Sequence, residues 1–276
     1  YDEIMERAAN PRDIWGIPMG FADLDRNTGG GQPGELWIIA GDPGLGKTAW
    51  LLQIAANMAK THAGVLYELE MKGHTLARRM IATESGVTTR AMRTGRVKEE
   101  DYAPIISAVE KIDALPIYLS DSTHWTTQQI RADLLRLMTD KPIKWFAVDY
   151  LMLLGDKVGR DDDEIRRTDE ITKALRGIAK DLNIFGLVIH SKTKAGIGTK
   201  PSLAQLRGSG QMAYHADVVI FMNQHIPDRE GDKVDPNIRT VTLEKFREGD
   251  GDKYFELVKM PGLPKLGDLI RRTVKL

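Results

Sequence analysis

The sequence predicts an α/β protein: a twisted, mostly parallel sheet between layers of helices, with an antiparallel hairpin at one edge. Apolar runs of strand length alternate with helical segments along the 276 residues, which is the order expected of a parallel sheet covered on both faces. The strand runs contain few polar residues, as is typical of strands buried on both sides. The last two runs are joined by the turn sequence REGDGD, which indicates a hairpin.

The first half of the chain supplies three strands. Residues 1–15 predict a short helix and a linker broken at Pro11. The run LWIIAG predicts a strand, and residues 48–60 predict a helix because apolar side chains recur there at helical spacing. GVLYELE and LPIYLSD predict the next two strands, with polar helices between them.

The second half supplies the remaining strands. Residues 126–139 predict a helix, and KWFAVDYLMLL predicts a fourth strand whose main polar residue is Asp149. Ile171, Leu175, Ile178 and Leu182 form one stripe of a long helix. FGLVIHS, ADVVIFM, RTVTLEKF and KYFELVK complete the set of strands.

Composition excludes several classes of protein. Lys+Arg and Asp+Glu are equal at 39 each, so any contact with a polyanion must come from a local patch. The absence of cysteine excludes disulfides and Cys-ligated zinc, and it fits a reducing compartment such as the cytoplasm. No apolar run is long enough to predict a membrane span.

A phosphate-binding loop is the strongest motif. GDPGLGKT fits G-x-x-x-x-G-K-[ST] and lies between an apolar strand and an amphipathic helix, the context that the motif requires. Backbone N–H groups and the helix N-terminus bind phosphate, Lys47 reaches the terminal phosphates, and Thr48 offers its hydroxyl to Mg²⁺. The predicted nucleotide-binding residues are Gly41, Asp42, Pro43, Gly44, Leu45, Gly46, Lys47 and Thr48, together with Asp149.

Acidic side chains close two of the predicted strands. Asp149 follows the apolar run WFAV at the edge that faces the ligand crevice of a parallel sheet. We interpret it as a magnesium partner opposite Thr48, the alternative being a helix cap or a satisfied core aspartate. Glu68 and Glu70 close the second strand and lie on one face by alternation, so that either carboxylate could polarise an attacking water.

Three further side chains have two interpretations each. A histidine at a strand end, such as His190, is more often structural than functional. Lys245 and Arg247 lie two residues apart before the hairpin turn, so both point the same way. These two cations either deter edge-to-edge sheet pairing or reach an anion outside the chain.

Several segments in order carry a family resemblance. GELWIIAGDPGLGKT, YELEMK, FAVDYLMLL and LRGSG followed by ADVVIF resemble the RecA-like motor domain of DnaB-type hexameric replicative helicases. The resemblance implies a RecA-like P-loop NTPase fold over residues 16–276. It implies that residues 1–15 form a linker helix that docks on a neighbouring subunit, the alternative being a frayed tail.

The resemblance also implies catalytic roles. Glu70 matches the acid that activates the hydrolytic water, which leaves Glu68 as a bystander or a support. His190 is similar to the strand-end histidine of phage primase–helicases, which senses the γ-phosphate. Lys245 and Arg247 match cations that enter the nucleotide site of the next subunit, where a guanidinium stabilises charge on the transferring phosphoryl group.

A basic, glycine-rich segment is the predicted DNA contact. Residues 191–211 contain no acid and no aromatic residue, which favours backbone contact without sequence preference. The resemblance places channel loops here, although bacterial members have Ser-Gln at Ser191 and Lys192; a solvated loop is the alternative. The predicted DNA-binding residues are Lys192, Lys194, Lys200, Arg207, Gly208 and Gly210. The acidic segment 155–167 is a weaker candidate.

These features predict a motor that uses ATP, or another NTP, with Mg²⁺. The resemblance implies 5′→3′ translocation on single-stranded DNA and duplex unwinding by a homo-oligomer, a hexameric ring, in a bacterial cell or a phage-infected host. It also implies a primase and a helicase loader as partners. The alternatives are a RecA-like recombinase or recombination mediator, and a nucleotide-dependent DNA-binding assembly module without unwinding.

Overall fold

The computed structural model describes residues 2–122, 124–157, 164–192, 202–203, 206, 210–226, 233–249, 251 and 253–269. Within these residues the strands are β1 Leu36–Gly41, β2 Ala63–Glu68, β3 Ile117–Ser120, β4 Ile143–Asp149, β5 Phe185–Ser191, β6 Val218–Gln224, β7 Ile238–Phe246, β8 Lys253–Lys259 and β9 Leu266–Asp268. The helices are α1 Asp2–Ala9, α2 Ala22–Thr28, α3 Lys47–Ala59, α4 Gly73–Ser85, α5 Thr89–Thr94, α6 Glu99–Asp113, α7 Thr127–Met138, α8 Glu164–Leu182 and α9 Gly210–His215.

The strands form one sheet in the order β3-β2-β4-β5-β1-β6-β7-β8-β9. The pairings from β3 to β6 are parallel, and those from β6 to β9 are antiparallel. The fold class predicted from the sequence is therefore confirmed, with the predicted hairpin formed by β7 and β8.

Both faces of the sheet are buried, as the apolar strand runs require. On one face β1, β5, β6 and β7 pack against α3. On the other face α8 covers the sheet through the predicted stripe, with Ile171, Leu175 and Ile178 buried. None of the helices among the described residues is long and apolar enough to cross a membrane.

Two strand ends differ from the prediction. β2 ends at Glu68, and the Glu68 carboxylate accepts hydrogen bonds from the Glu70 and Met71 N–H groups, which turns the chain out of the sheet. β4 ends at Asp149, and Leu151–Leu153 form a 3₁₀ turn instead of a continued strand. The prediction that Glu68 and Glu70 share one strand face is therefore wrong.

Three short elements were not predicted. α2 and α9 have only seven and six residues, and β9 has three. Segments this short carry less than two full periods of a helical or strand pattern, so their sequences do not distinguish them from loops.

Candidate functional site

The phosphate-binding loop lies between β1 and α3, at the C-terminal edge of the parallel strands. Gly44 and Gly46 have φ angles of +79° and +103°, a region that favours glycine because a Cβ is strained there. Gly46 is the N-cap of α3 and no side chain caps it. The first N–H groups of α3 are thus available to an anion.

The Lys47 side chain points back into the loop. Its ammonium donates hydrogen bonds to the carbonyl oxygens of Gly41 and Asp42, at 2.9 and 3.0 Å. Burial lowers the pKa of Lys47, and the nearby carboxylates of Asp149, Asp42 and Glu70 oppose that change. A buried cation among these acids is positioned to bind phosphate oxygens.

Thr48 and Asp149 meet across the sheet edge, as the sequence predicted. The Thr48 hydroxyl forms a hydrogen bond with the Asp149 carboxylate, while burial raises the pKa of Asp149 to about 6. Asp149 Oδ2 is buried and has no hydrogen-bond partner among the described residues. A divalent cation beside Thr48 would satisfy that oxygen.

These two side chains fit Mg²⁺ better than a fully protein-held metal. No group of three or more His, Cys, Asp or Glu side chains in the described part of the chain could hold an ion. Mg²⁺ in nucleotide sites commonly takes one or two protein oxygens and completes its shell with phosphates and water. Thr48 and Asp149 are a donor set of that size.

Glu68 and Glu70 are separated by the structure. Glu68 is only 1% exposed, and its Oε1 accepts the Glu70 and Met71 N–H groups at 3.1 and 2.9 Å. Burial, followed by the charge of Asp149, raises the pKa of Glu68 to about 7. The Glu70 side chain is exposed, so Glu70 is the carboxylate that can meet a water molecule.

His190 and Lys192 occupy the end of β5 and the residue just beyond its last position, beside the phosphate-binding loop. His190 pairs with Ala40 of β1 and is fully buried. The Lys192 ammonium lies 2.7 Å from Asn223 Oδ1 and 3.8 Å from Asp42 Oδ1. Burial lowers the pKa of Lys192, and its side chain is 1% exposed. This placement does not fit the predicted contact between Lys192 and DNA.

Lys245 and Arg247 lie at the opposite edge of the sheet. Lys245 pairs with Val219 near the start of β6, whereas the phosphate-binding loop follows the end of β1. The Lys245 ammonium donates to the carbonyls of Ala213 and Ala216 at 2.7 Å each, where α9 ends. The Arg247 guanidinium donates to the Tyr214 carbonyl at 2.8 Å.

Arg239, near the start of β7, was not predicted. It is 6% exposed, and its Nε donates to the Leu45 carbonyl of the phosphate-binding loop at 3.1 Å. Arg239 shares a strand face with Val241 and Leu243, which are fully buried. A charged residue in the buried register of a strand is the sequence signal that could have identified it.

A family model described as the DnaB-like helicase C terminal domain matches residues 16–258. The chain belongs to this family. It is 32% identical over 256 residues to the replicative DNA helicase DnaC of Bacillus subtilis (strain 168) and 30% identical over 254 residues to the replicative DNA helicase DnaB of Geobacillus stearothermophilus. Each alignment covers 90% of this chain and 56% of the relative. This DnaB-like chain therefore spans about half the length of the curated relatives it matches.

Two solved structures share the fold of this DnaB-like domain. One, described as an ATPase domain, has a TM-score of 0.88 at 24% identity, over 97% of this chain and 96% of that chain. The other, a DnaB-like replicative helicase described with its interactions with primase, has a TM-score of 0.86 at 24% identity, over 97% of this chain and 65% of that chain. At this identity the likeness establishes the fold.

The predicted DNA contacts of the DnaB-like domain fall mostly outside the described residues. Lys194, Lys200, Arg207 and Gly208 lie outside them, as do residues 158–163 of the acidic segment. The backbone of Lys192 forms an antiparallel bridge with Leu206, and Gly210 begins α9. The base of the basic segment therefore lies between the phosphate-binding loop and α9.

Proposed function

We propose that this chain is the motor domain of a ring-shaped DNA helicase that hydrolyses ATP, or another NTP, at sites between identical subunits. One observation carries the proposal. The phosphate-binding loop and the pair Lys245 and Arg247 lie at opposite edges of one sheet. A subunit could thus present its loop to one neighbour and its cations to the other, as in a closed heterologous ring.

Hydrolysis is assigned to the residues at the loop edge. Lys47 and the N–H groups of the loop bind the β- and γ-phosphates, and Thr48 with Asp149 holds Mg²⁺. The ion, when bound, neutralises charge on the phosphate oxygens. Glu70 accepts a proton from the attacking water, because its exposed carboxylate is free of the backbone hydrogen bonds that engage Glu68. His190, buried at the end of β5, contacts the γ-phosphate through a small side-chain movement.

Charge developing on the phosphoryl group requires a cation that the subunit does not place beside its own loop. Six residue steps separate Arg239, at the loop, from Lys245, or about 20 Å at roughly 3.4 Å per step. Within one subunit, Lys245 and Arg247 therefore cannot serve the loop. We assign both cations to the neighbouring site, where a guanidinium supplied in trans stabilises the transition state.

DNA is assigned to the channel of the ring. The basic segment 191–211 contributes backbone contacts through Lys194, Lys200, Arg207, Gly208 and Gly210, and six copies would concentrate cations that the neutral chain lacks overall. The names of the relatives, replicative DNA helicases, support a fork substrate, 5′→3′ movement and a cytoplasmic site of action. Residues 1–15 dock on a neighbour, and a primase and a loader are the proposed partners.

The test combines hydrolysis with strand separation. We expect single-stranded DNA to stimulate ATP hydrolysis and the protein to open forks that carry a 5′ tail rather than a 3′ tail. Strand exchange without fork opening would identify a recombinase instead. DNA binding without stimulated hydrolysis or unwinding would identify an assembly module, and either result would contradict the proposal.

A further inference from the structure

Arg239 joins β7 to the phosphate-binding loop. Its Nε donates to the Leu45 carbonyl at 3.1 Å, and its Nη1 donates to the carbonyls of Pro236 and Ile238 at 2.8 Å each. The side chain is buried at the edge of the sheet that carries the loop, opposite Gln224 at the end of β6. One guanidinium thus connects residues that are 194 positions apart.

Burying this guanidinium is unfavourable. Burial lowers the pKa of Arg239, and the hydrogen-bond partners described for it are backbone carbonyls, with no carboxylate among them. A buried cation that lacks an anionic partner retains part of its desolvation cost. A polyphosphate bound in the loop would supply the missing negative charge nearby.

The contact also fixes the direction of a peptide group. A trans peptide is planar, so its N–H points opposite to its C=O. Holding the Leu45 carbonyl towards Arg239 therefore directs the Gly46 N–H away from Arg239, to the other side of the loop. The flanking glycines, Gly44 and Gly46, both have positive φ and would otherwise leave this peptide free to rotate.

We infer that Arg239 is a positioning residue for phosphate binding: it anchors the Leu45 carbonyl so that the Gly46 N–H faces the bound phosphates. The inference rests on the proposed nucleotide site. It adds a residue of β7 to that site and makes the loop dependent on a strand that also carries Lys245. Arg239 acts through the loop and takes no part in proton transfer, so it sets affinity in preference to turnover.

The test measures binding of Mg-ATP and of inorganic tripolyphosphate to the wild-type chain, Arg239→Gln and Arg239→Lys. Loss of a hydrogen bond from a charged donor predicts a dissociation constant raised about tenfold or more in Arg239→Gln. The loss should be similar for both probes, because tripolyphosphate has no base or sugar. KM should rise while kcat at saturation stays within about twofold, as expected when ground-state binding is lost.

Two variants serve as controls. Arg239→Lys keeps the charge but not the planar fork, so we expect it to recover only part of the affinity; full recovery would show that charge alone is needed. Val241→Ala lies on the same buried face of β7 and belongs to the core without a role in the loop. It should lower stability and leave both dissociation constants unchanged.

The outcomes separate this inference from the proposed function. Unchanged affinity in Arg239→Gln overturns the inference and leaves the helicase proposal standing. A loss with ATP but not with tripolyphosphate overturns it too, because Arg239 would then act on the base or sugar. If Arg239→Gln does not fold, Arg239→Lys takes its place, and unchanged affinity in that variant overturns the inference as well. Weaker binding of both probes without fork opening supports the inference and contradicts the helicase. A wild-type chain that binds neither probe contradicts both.

Discussion

Glu68 and Glu70 are two residues apart, yet their carboxylates face different surroundings. We predict that Glu70→Gln lowers kcat for ATP hydrolysis by about 10²- to 10⁴-fold, the usual contribution of a general base, while Mg-ATP affinity stays close to that of the wild type. Glu68→Gln is the matched control, because its amide oxygen still accepts the Glu70 and Met71 N–H groups. Single-turnover hydrolysis measures both. A larger loss in Glu68→Gln would reverse the assignment.

Lys192 is predicted to act at the nucleotide site. Lys192→Met keeps much of the apolar stem and removes the ammonium near Asp42, so we expect weaker Mg-ATP binding. We expect the salt dependence of single-stranded DNA binding to stay unchanged, because the ammonium is buried. A phosphate contact would instead reduce the slope of log affinity against log salt by about one per subunit. Titrations of nucleotide and of DNA at several salt concentrations distinguish these results.

Glu68 also predicts a pH dependence of stability. Its pKa is raised from 4.5 to about 7 in the folded chain, so the folded state binds this proton more tightly than the unfolded state. The stabilisation is complete below pH 4.5 and is lost as the pH rises through about 7. Between about pH 5 and 8 in magnesium-free buffer, the free energy of unfolding of Glu68→Gln should therefore gain about 1–3 kcal/mol relative to wild type. A constant difference would contradict the raised pKa.

At the scale of elements, β7 links two functions. Its start contacts the subunit's own phosphate-binding loop through Arg239, and its end carries Lys245 on the carbonyl end of α9. Cations are favoured at a helix C-terminus, which gives Lys245 and Arg247 a defined position in the single subunit. Movement of α9, which follows the basic segment, would therefore shift the pair.

The start of β6 is held by a buried ion pair. Asp217 accepts from Arg176 at 2.5 Å and from the Leu36 N–H at 3.0 Å. We predict that Asp217→Ala lowers the free energy of unfolding by about 3–5 kcal/mol, because it leaves a largely buried guanidinium unpaired. The exposed pair of Arg131 and Asp181 is the control, and Asp181→Ala should cost less than about 1 kcal/mol. Equal losses in chemical denaturation would show that burial does not matter here.

Strands with a continuous apolar run were predictable from the sequence. The segments LWIIAG, FGLVIHS and KYFELVK coincide with β1, β5 and β8. The ends of β2 and β4 were not, because Glu68 hydrogen bonds to backbone N–H groups two and three residues later stop one strand and a 3₁₀ turn stops the other. Local patterns do not include such side-chain contacts.

The candidate site was predictable where a local motif defines it. The phosphate-binding loop and Asp149 follow from motif and strand context, and the structure brings Thr48 and Asp149 together. Arg239 and the buried position of Lys192 were missed, because both depend on partners far along the chain, Leu45 and Asn223. Residues joined only by tertiary contacts leave little trace in a single sequence.

At the scale of the whole molecule, the central claim is that each hydrolytic site combines two subunits. A ring with a single type of heterologous interface places the loop edge of one subunit against the cation edge of the next. The isolated chain would then hold Lys47 and Arg247 in two different half-sites, and assembly would be a condition of catalysis.

Mixing inactive subunits tests this claim most directly. Lys47→Ala and Arg247→Ala chains are combined as monomers at varied ratios, assembled with Mg-ATP and assayed for hydrolysis. Action in trans predicts that the rate peaks at a one-to-one mixture, where about one quarter of random interfaces contain intact Lys47 and intact Arg247. Size measurements confirm co-assembly. A mixture that assembles but remains inactive at all ratios would contradict the composite site.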